Sequence, residues 1–243
     1  MHNFFKYDTD NVGIALQTCD TPVLNKVFRD TINQYHSYVK YKDIPCRNMR
    51  YLAYEMPSGN LVGAIGLSSA SLNVSVFDKY IGWDKATKFR NLNKTANNSR
   101  FCLIKSNMTI QNVASMTLKQ LRIVGARDWK LKYGNPLVLL QTFVEFERNS
   151  EYNGSCSRGG SCYLADNWIL VGKTAGTSIK KAPLSLWKKE TSQRGELARK
   201  DPKAAIEKYG QWCGGKEYKI TKSKQKLVLV RPLVPNWKKQ LLA

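Results

Sequence analysis

Histidine and acidic residues are scarce in this chain of 243 residues, and both shortages limit the chemistry that it can support. There are 2 histidines and 18 aspartates and glutamates, against 39 lysines and arginines. The acidic residues are scattered, so the sequence offers no carboxylate cluster that could hold the metal ions of a nuclease or a transposase. A Walker phosphate-binding loop, a metalloprotease helix and a Gly-x-Ser-x-Gly elbow are missing as well.

Long apolar runs and a signal peptide are also missing. No uninterrupted run reaches the roughly 18 apolar residues that suggest a membrane-spanning helix, and Met1–Lys6 is not followed by an apolar stretch. We therefore expect a soluble, cytoplasmic protein without a membrane partner. Its six cysteines are expected to be free thiols. Cys156 and Cys162 lie close together, as plain thiols or a redox-sensitive pair, but their spacing is wider than in an ordinary zinc knuckle and we predict no metal site.

What the chain has in excess is positive charge. Its net charge is +21, and residues 173–243 contain 18 Lys/Arg against 5 Asp/Glu. A clustered basic surface releases counterions from a phosphate backbone, which gives salt-dependent binding with little sequence preference. A solvated surface and a membrane-surface patch are the alternatives, but no apolar amphipathic segment accompanies the lysines. We therefore predict a nucleic acid, DNA or RNA, as the partner.

The predicted contacts to the phosphate backbone are the basic residues of this region. They are Lys180, Lys181, Lys188, Lys189, Arg194, Arg199, Lys200, Lys203, Lys208, Lys216, Lys219, Lys222, Lys224 and Lys226. Aromatic residues that could stack on bases are interleaved with them, namely Trp187, Tyr209, Trp212, Tyr218 and Trp237. The alternative for each ring is that it anchors the basic region to the rest of the fold.

The order of predicted elements indicates an α/β (α+β) fold with a mixed sheet and crossover helices. Thr21 and Pro22 begin an amphipathic helix that extends to about residue 38. The runs Met49–Met56 and Leu61–Ser69 are typical of a hairpin, and Pro136–Phe146 of a central buried strand.

Other segments give weaker signals. Phe101–Ile110 is predicted as a strand, and Asn112 as the cap of a helix that runs toward Arg127. Residues 71–98 are mixed, with the stretch Phe77–Trp83 followed by a polar Lys/Asn-rich segment that is predicted to be either a helix or a surface loop. Strands are also predicted over Trp168–Val171 and Lys226–Arg231.

The predicted domain organisation has three parts. A core spans residues 1–176, a lysine-rich insertion spans 177–225, and a final strand and tail span 226–243. The insertion changes character because it has lysine pairs and few aliphatic residues, and it is predicted to be partly helical over Leu197–Tyr209.

Several motifs occur in a consistent order along the first 176 residues. They are the stretches Phe77–Trp83, Asn97–Phe101, Asn112–Ser115, Asp128-Trp129 with Tyr133-Gly134, Thr142–Glu145, Gly160–Trp168 and Gly172–Gly176, and Pro232-Leu233 follows after the insertion. Together these motifs resemble the DruA-type family of the Druantia anti-phage systems. Similar domains occur at the front of some transposases. The resemblance implies a protein of a defence system or a mobile genetic element, with other proteins of such a complex as further partners.

The DruA-type family in turn resembles GNAT-type acyltransferases and the Mom protein, which modifies adenine in phage DNA. This resemblance implies a single GNAT-like mixed sheet flanked by helices. It also implies that Ser115, Glu145 and Tyr163 occupy positions that Mom-like proteins share. The turn Thr109–Val113, where GNAT enzymes present backbone N–H groups to the CoA pyrophosphate, contains no glycine. An ordinary acetyl-CoA site is therefore doubtful, and the cofactor stays unknown.

Each of the three implied catalytic residues also has a structural interpretation. Glu145 could act as a general base if partial burial raised its pKa, or it could be a solvated strand end. Tyr163 could be a general acid or bind a substrate, or it could pack against Trp168 with its hydroxyl bonded. Ser115 could orient a substrate or simply fill a helical first turn.

Two functions follow as hypotheses. The leading one is a nucleic-acid-binding protein of a defence or mobile element, in which a GNAT-like scaffold engages the phosphate backbone through its lysine-rich extension. The alternative is a Mom-like enzyme that transfers a small acyl-type group to a nucleobase.

Overall fold

A mixed sheet of seven strands organises the protein, with two further strands in a separate ribbon. The computed structural model describes residues 13–36, 41–44, 46–145, 160–176, 178–181, 188, 191, 193–209, 219–222 and 224–243. The strands are β1 (Gly13–Thr18), β2 (Asn48–Met56), β3 (Asn60–Ser69), β4 (Thr95–Leu103), β5 (Leu139–Glu145), β6 (Ile169–Lys173), β7 (Ser178–Lys181), β8 (Lys219–Lys222) and β9 (Lys226–Pro232). The large sheet has the order β1-β2-β3-β4-β5-β9-β6, in which β4 and β5 are parallel and the other neighbours are antiparallel.

Helices cover both faces of this sheet. The helices of the described residues are α1 (Pro22–Tyr35), α2 (Ser75–Ile81), α3 (Lys85–Asn91), α4 (Val113–Gln120), α5 (Ala126–Tyr133) and α6 (Ser161–Ala165), then α7 (Gln193–Lys200) and α8 (Pro202–Tyr209) in a part of the chain described below, and α9 (Trp237–Leu242). We call the face covered by α1, α2 and α9 the α1 face, and the face covered by α4, α5 and α6 the α4 face. The predicted α/β class, with one mixed sheet flanked by helices, is confirmed. In the part of the chain that is described, no helix is both long and apolar enough to cross a membrane.

Helix α1 forms for the reasons that the sequence indicated. The Thr21 hydroxyl accepts a hydrogen bond from the backbone N–H of Leu24 (3.2 Å), and Pro22 occupies the first helical position, where no N–H is needed. Phe28 and Ile32 are fully buried against the α1 face. The helix ends at Tyr35, slightly before the predicted boundary.

Helices α4 and α5 form one continuous helical segment with a π-helical turn between them, Leu121–Gly125. The segment extends to Tyr133, beyond the predicted end, because Trp129 is buried in the core on the α4 face. Asn112 lies at the N-terminal boundary as predicted, with a left-handed φ of 59°. Its side chain makes no capping hydrogen bond, so the predicted capping role is wrong.

The hairpin β2–β3 and the central strand β5 are confirmed, whereas the strand predicted over Phe101–Ile110 is displaced. Strand β4 runs from Thr95 to Leu103 and begins with polar residues that a strand prediction would not favour. The side chains of Asn98 and Ser99 donate hydrogen bonds to the backbone carbonyl of Gly66, where the register of β4 shifts against β3 at Gly66/Leu67. The ambiguous segment 71–98 contains α2, α3 and the start of β4.

The chain divides into two compact units, residues 1–173 with 226–243, and residues 174–225. The second unit is inserted between β6 and β9, which are antiparallel neighbours with Lys173 paired to Leu227. It contains the ribbon β7–β8 and the helices α7 and α8. The helical character predicted over Leu197–Tyr209 is confirmed and comes from the end of α7 and from α8. Pro202 starts the second helix, which Asp201 caps by accepting a hydrogen bond from the N–H of Ala204 (3.0 Å).

Candidate functional site

The parallel strands β4 and β5 separate midway along their length. Their pairing ends at Asn97 and Gln141, although both strands continue. Beyond that point the Thr142 hydroxyl donates to the backbone carbonyl of Asn98 (3.1 Å). The side chain of Gln141 is fully buried, and within the described part of the chain neither its amide nitrogen nor its amide oxygen has a hydrogen-bond partner.

Tyr163 lies in α6, on the α4 face of this separation. Its side chain is 5% exposed, and its hydroxyl donates to Oδ1 of Asn98 (2.6 Å). Its ring contacts Phe101 and packs edge-on against Trp168, with centroids 5.6 Å and 4.9 Å away. A hydroxyl held in this way supports the sheet where the backbone ladder stops.

Glu145 lies at the end of β5, and its side chain belongs to the opposite face. Side chains alternate along a strand, so Glu145 shares a face with Phe143, which packs in the α1-face core, whereas Thr142 faces Tyr163. The Glu145 carboxylate forms an ion pair with Lys226 (3.4 Å) and is 33% exposed.

The positive charge around Glu145 extends to the C-terminal end of α1. Burial, together with Arg100 and Lys226, lowers the pKa of His36, and Glu145 opposes that shift. A carboxylate in this setting balances neighbouring cations.

Ser115 lies in the first turn of α4 and is half-buried. Its hydroxyl donates to the backbone carbonyl of Asn112 (3.1 Å). Helices α4 and α6 contact each other on the α4 face, so Ser115 and Tyr163 belong to neighbouring elements. Glu145 is separated from both by the sheet. The structure therefore does not bring the three predicted catalytic residues together.

The loop before α4 is closed by a side chain that the sequence analysis did not single out. Glu55 is buried, and its carboxylate accepts hydrogen bonds from the backbone N–H groups of Thr109 (2.9 Å) and Ile110 (3.3 Å) and from the Thr109 hydroxyl. These bonds, with that of the Thr109 side chain foremost, lower the pKa of Glu55. Donors of the glycine-free turn that could face a cofactor phosphate are therefore already occupied by a carboxylate of the chain itself.

A second unpredicted cluster lies on the α4 face. Asp166 follows α6, is 5% exposed, and accepts two hydrogen bonds from Arg122, from Nε (2.9 Å) and Nη2 (2.8 Å). The indole of Trp168 donates to the same carboxylate (3.0 Å). Arg231 of β9 lies close enough for both charges to affect its pKa. The sequence signal available for this cluster was the Asp166-Asn167-Trp168 end of the Gly160–Trp168 motif.

Most predicted phosphate contacts belong to the unit 174–225. The structure describes side chains for Lys188, Arg194, Arg199, Lys200, Lys203, Lys224 and Lys226, and the backbone alone for Lys180, Lys181, Lys208, Lys219 and Lys222, while Lys189 and Lys216 lie outside the described residues. Arg199, Lys200 and Lys203 are exposed on α7 and at the start of α8. Lys226 belongs instead to β9, beside Glu145.

Helix α7 buries small residues, and the long basic side chains at its C-terminal end are exposed to solvent. Gly195 and Ala198 of α7 and Ala205 of α8 are buried. Arg199 donates to the backbone carbonyl of Lys188 (2.8 Å), and Lys200 forms an exposed ion pair with Glu196 (2.9 Å).

Trp237 is the predicted stacking residue whose side chain is described. Its ring stacks on Tyr80 at 5.6 Å with an interplanar angle of 14°, and the Lys238 ammonium lies over both rings. Trp237 therefore anchors α9 to α2. The side chains of Trp187, Tyr209, Trp212 and Tyr218 lie outside the described part of the chain.

The cysteines are partly described. Cys19, Cys46, Cys102 and Cys162 are free thiols, and burial raises the pKa of Cys162. Cys156, its neighbour in sequence, lies outside the described residues. Across the described ranges, no group of three or more His, Cys, Asp or Glu side chains is arranged to hold a metal ion.

Fold and charge together define an α/β protein with one mixed sheet and a basic unit inserted between two of its strands. The family model for the Druantia protein DruA matches residues 14–242, so the chain belongs to this family. The family expected from the sequence motifs is thereby confirmed. Similarity to Mom stays a prediction.

Solved structures similar to this chain include several acetyltransferases. RimL, a ribosomal L7/L12 alpha-N-protein acetyltransferase, is 11% identical, with 91% of this chain and 94% of that chain covered and a TM-score of 0.39. A GNAT family acetyltransferase from Elizabethkingia anophelis with acetyl-CoA bound is 14% identical, with 92% and 99% covered and a TM-score of 0.38. Arylalkylamine N-acetyltransferase 2 from Aedes aegypti is 7% identical, with 91% and 99% covered and a TM-score of 0.39. These values are too low to transfer an activity, and no curated protein matches the chain significantly.

Proposed function

We propose that this DruA family protein binds nucleic acid through residues 174–225 as part of anti-phage defence. The observation that carries this function is the charge of the inserted unit, which has 13 Lys/Arg against 5 Asp/Glu. Its helix α7 buries small residues and exposes Arg199 and Lys200. Such side chains neutralise phosphates and release their counterions, which favours binding to the backbone over reading of bases.

A charge-matched comparison in the full-length chain tests this function. One variant carries Arg199→Gln, Lys200→Gln and Lys203→Gln in the inserted unit. The control carries Lys79→Gln, Lys85→Gln and Lys105→Gln, which are exposed in the other unit, so both lose three charges.

Fluorescence anisotropy with labelled single- and double-stranded DNA and RNA measures affinity across a salt series. The wild type should show a steep decrease of log K with log salt, and the first variant should flatten the slope by about one per lost phosphate contact. The control should keep the wild-type slope. Equal losses in both variants would mean that net charge alone governs binding, and no binding at low salt would refute the function.

Transfer of an acyl-type group to a nucleobase remains the second candidate, supported by the sequence positions of Ser115, Glu145 and Tyr163. The sheet between Glu145 and Tyr163, and the Tyr163–Asn98 hydrogen bond, weigh against joint action on one substrate atom. Mass spectrometry of nucleic acid incubated with the protein and cell extract tests it. A new mass that Glu145→Gln and Tyr163→Phe both abolish would establish this enzyme function over binding alone.

A further inference from the structure

The cluster around Asp166 holds one carboxylate and two guanidinium groups from three separate elements. Arg122 comes from the π-helical turn, Asp166 from the turn before β6, and Arg231 from β9. The Asp166 oxygens already accept from both Arg122 nitrogens and from Trp168. Asp166 therefore fixes the orientation of Arg122, and three of the roughly four acceptor sites of its carboxylate are occupied.

Among the described residues, Arg231 has no such partner. It pairs in register with Leu140 of β5, which places its side chain on the α4 face. On the other side of β9, Val230 pairs with Ile169 of the antiparallel strand β6, so Arg231 lies beside Trp168 and the turn that contains Asp166. Its Nε is buried without a hydrogen-bond partner, and no described residue accepts a hydrogen bond from this guanidinium. Burial, and next the charge of Arg122, lowers the pKa of Arg231, against the opposing effect of Asp166. The cluster thus has an excess positive charge, and the partly desolvated guanidinium of Arg231 has N–H donors without an acceptor among the described residues.

We propose that Arg122 and Arg231 form a phosphate-binding site in which Asp166 positions Arg122. The planar fork of a guanidinium matches phosphate oxygens in a bidentate way, and an anion between the two arginines would satisfy the open donors of Arg231. The π-helical turn supports this assignment, because single π turns in helices occur frequently at functional sites. The phosphate is either free or part of a nucleic acid backbone, and only the second source rests on the proposed function.

Thermal unfolding of the full-length protein tests the site with inorganic phosphate as the probe. At constant ionic strength, replacing chloride by phosphate should raise the Tm of the wild type, because a ligand that binds only the folded state stabilises it. Arg231→Met should lose this increase. In phosphate-free buffer its Tm should equal or exceed that of the wild type, since the substitution removes an unpartnered, desolvated charge.

Two further variants separate recognition from folding. Arg127→Met removes an exposed guanidinium from α5 and should keep the phosphate-dependent increase. Arg231→Lys keeps the positive charge but lacks the planar guanidinium group, so the increase in its Tm should require higher phosphate concentrations. An absent increase in the wild type, or one of the same size in Arg231→Met or Arg231→Lys, would overturn the site.

Nucleic-acid binding distinguishes the two sources of phosphate. If a backbone phosphate occupies the site, Arg231→Met should flatten the slope of log K against log salt by about one. An unchanged slope together with the thermal effect assigns the site to free phosphate. A wild type that binds no nucleic acid but is stabilised by phosphate would refute the proposed function and leave the phosphate site standing.

Discussion

Tyr163, Asn98 and Thr142 connect the two parallel strands of the sheet where their backbone pairing stops. The Tyr163 hydroxyl donates to the Asn98 side chain and the Thr142 hydroxyl to the Asn98 carbonyl, so side chains replace the missing ladder bonds. Buried polar groups that lose a partner in this way typically cost about 1–3 kcal/mol. Tyr163 is thus required by the sheet itself, whatever further role it has.

Glu55 provides a prediction about pH at the residue scale. Its folded pKa is lowered, chiefly by the Thr109 hydroxyl and N–H, so the ionised form stabilises the fold above the ordinary pKa of 4.5. That stabilisation should disappear as the pH falls from there through the lower folded pKa. Glu55→Gln should therefore lower the midpoint of urea unfolding at pH 7 and bring the two proteins closer together toward pH 3.

Urea unfolding at a series of pH values measures this difference directly. Comparing the two proteins isolates Glu55, because other carboxylates with lowered pKa, such as Asp84, are present in both. A constant difference between wild type and Glu55→Gln from pH 7 to pH 3 would show that the carboxylate charge does not matter.

At the scale of elements, the helices and strands that were predicted correctly are those whose pattern of apolar and polar residues matches their burial in the fold. Helix α1 has a cap, a proline and an apolar stripe, and β5 is apolar because both of its faces are covered. The strand predicted over Phe101–Ile110 lies too late in the sequence, because β4 begins with polar residues, among them Asn97 and Asn98, that lie in the middle of a sheet. Their positions depend on β3, β5 and α6, which no local pattern reveals. The short elements β1 and α9 were not predicted.

The candidate site was only partly predictable for the same reason. The resemblance to Mom-like proteins grouped Ser115, Glu145 and Tyr163. In the folded sheet, α4 and α6 are neighbours, but strand alternation separates Glu145 from the other two residues. Arg122 and Arg231 are far apart in sequence. The pairing of β9 with β6 brings Arg231 beside the turn that contains Asp166, and Arg122 reaches Asp166 from the π-helical turn on the α4 face. A single sequence carries no signal for that arrangement.

Strand β6 gives the prediction at the element scale. Gly172 has a φ of +145°, and a Cβ added there would lie 2.5 Å from Cγ2 of Val76 in α2. Gly172→Ala should therefore destabilise the protein by roughly 1–3 kcal/mol through backbone strain and overpacking. Adding Val76→Ala should recover only the part of the lost stability that is due to the clash between the new Cβ and the Val76 side chain.

Equilibrium unfolding of the single and double variants measures these two contributions. Gly134→Ala is the matched control, since Gly134 also has a positive φ (75°) but no atom within 4 Å of an added Cβ. If Gly172→Ala and Gly134→Ala lower the free energy of unfolding equally, and Val76→Ala restores none of it, packing against α2 does not contribute.

At the scale of the whole molecule, the chain leaves one unit and returns to it at nearly the same place. Lys173 ends β6 and Lys226 begins β9, and Lys173 pairs with Leu227 across the two antiparallel strands. The unit of residues 1–173 and 226–243 contains the seven-stranded sheet and its three apolar clusters. An insertion at a hairpin end can therefore carry a function without changing the order of the strands around it.

Replacing residues 174–225 by a short Asn-Gly turn tests this organisation and the proposed function together. The turn should close β6 and β9 into a direct hairpin, because the strand ends are already paired and a short connection has a small entropic cost. We expect a cooperative thermal transition and a loss of nucleic-acid affinity of roughly ten-fold or more at moderate salt. Circular dichroism and anisotropy measure the two results, with phosphate stabilisation as an internal control, since Arg122 and Arg231 remain. A folded protein with unchanged affinity would move the nucleic-acid interface to the remaining unit, whereas loss of the cooperative transition would show that residues 174–225 are required for folding.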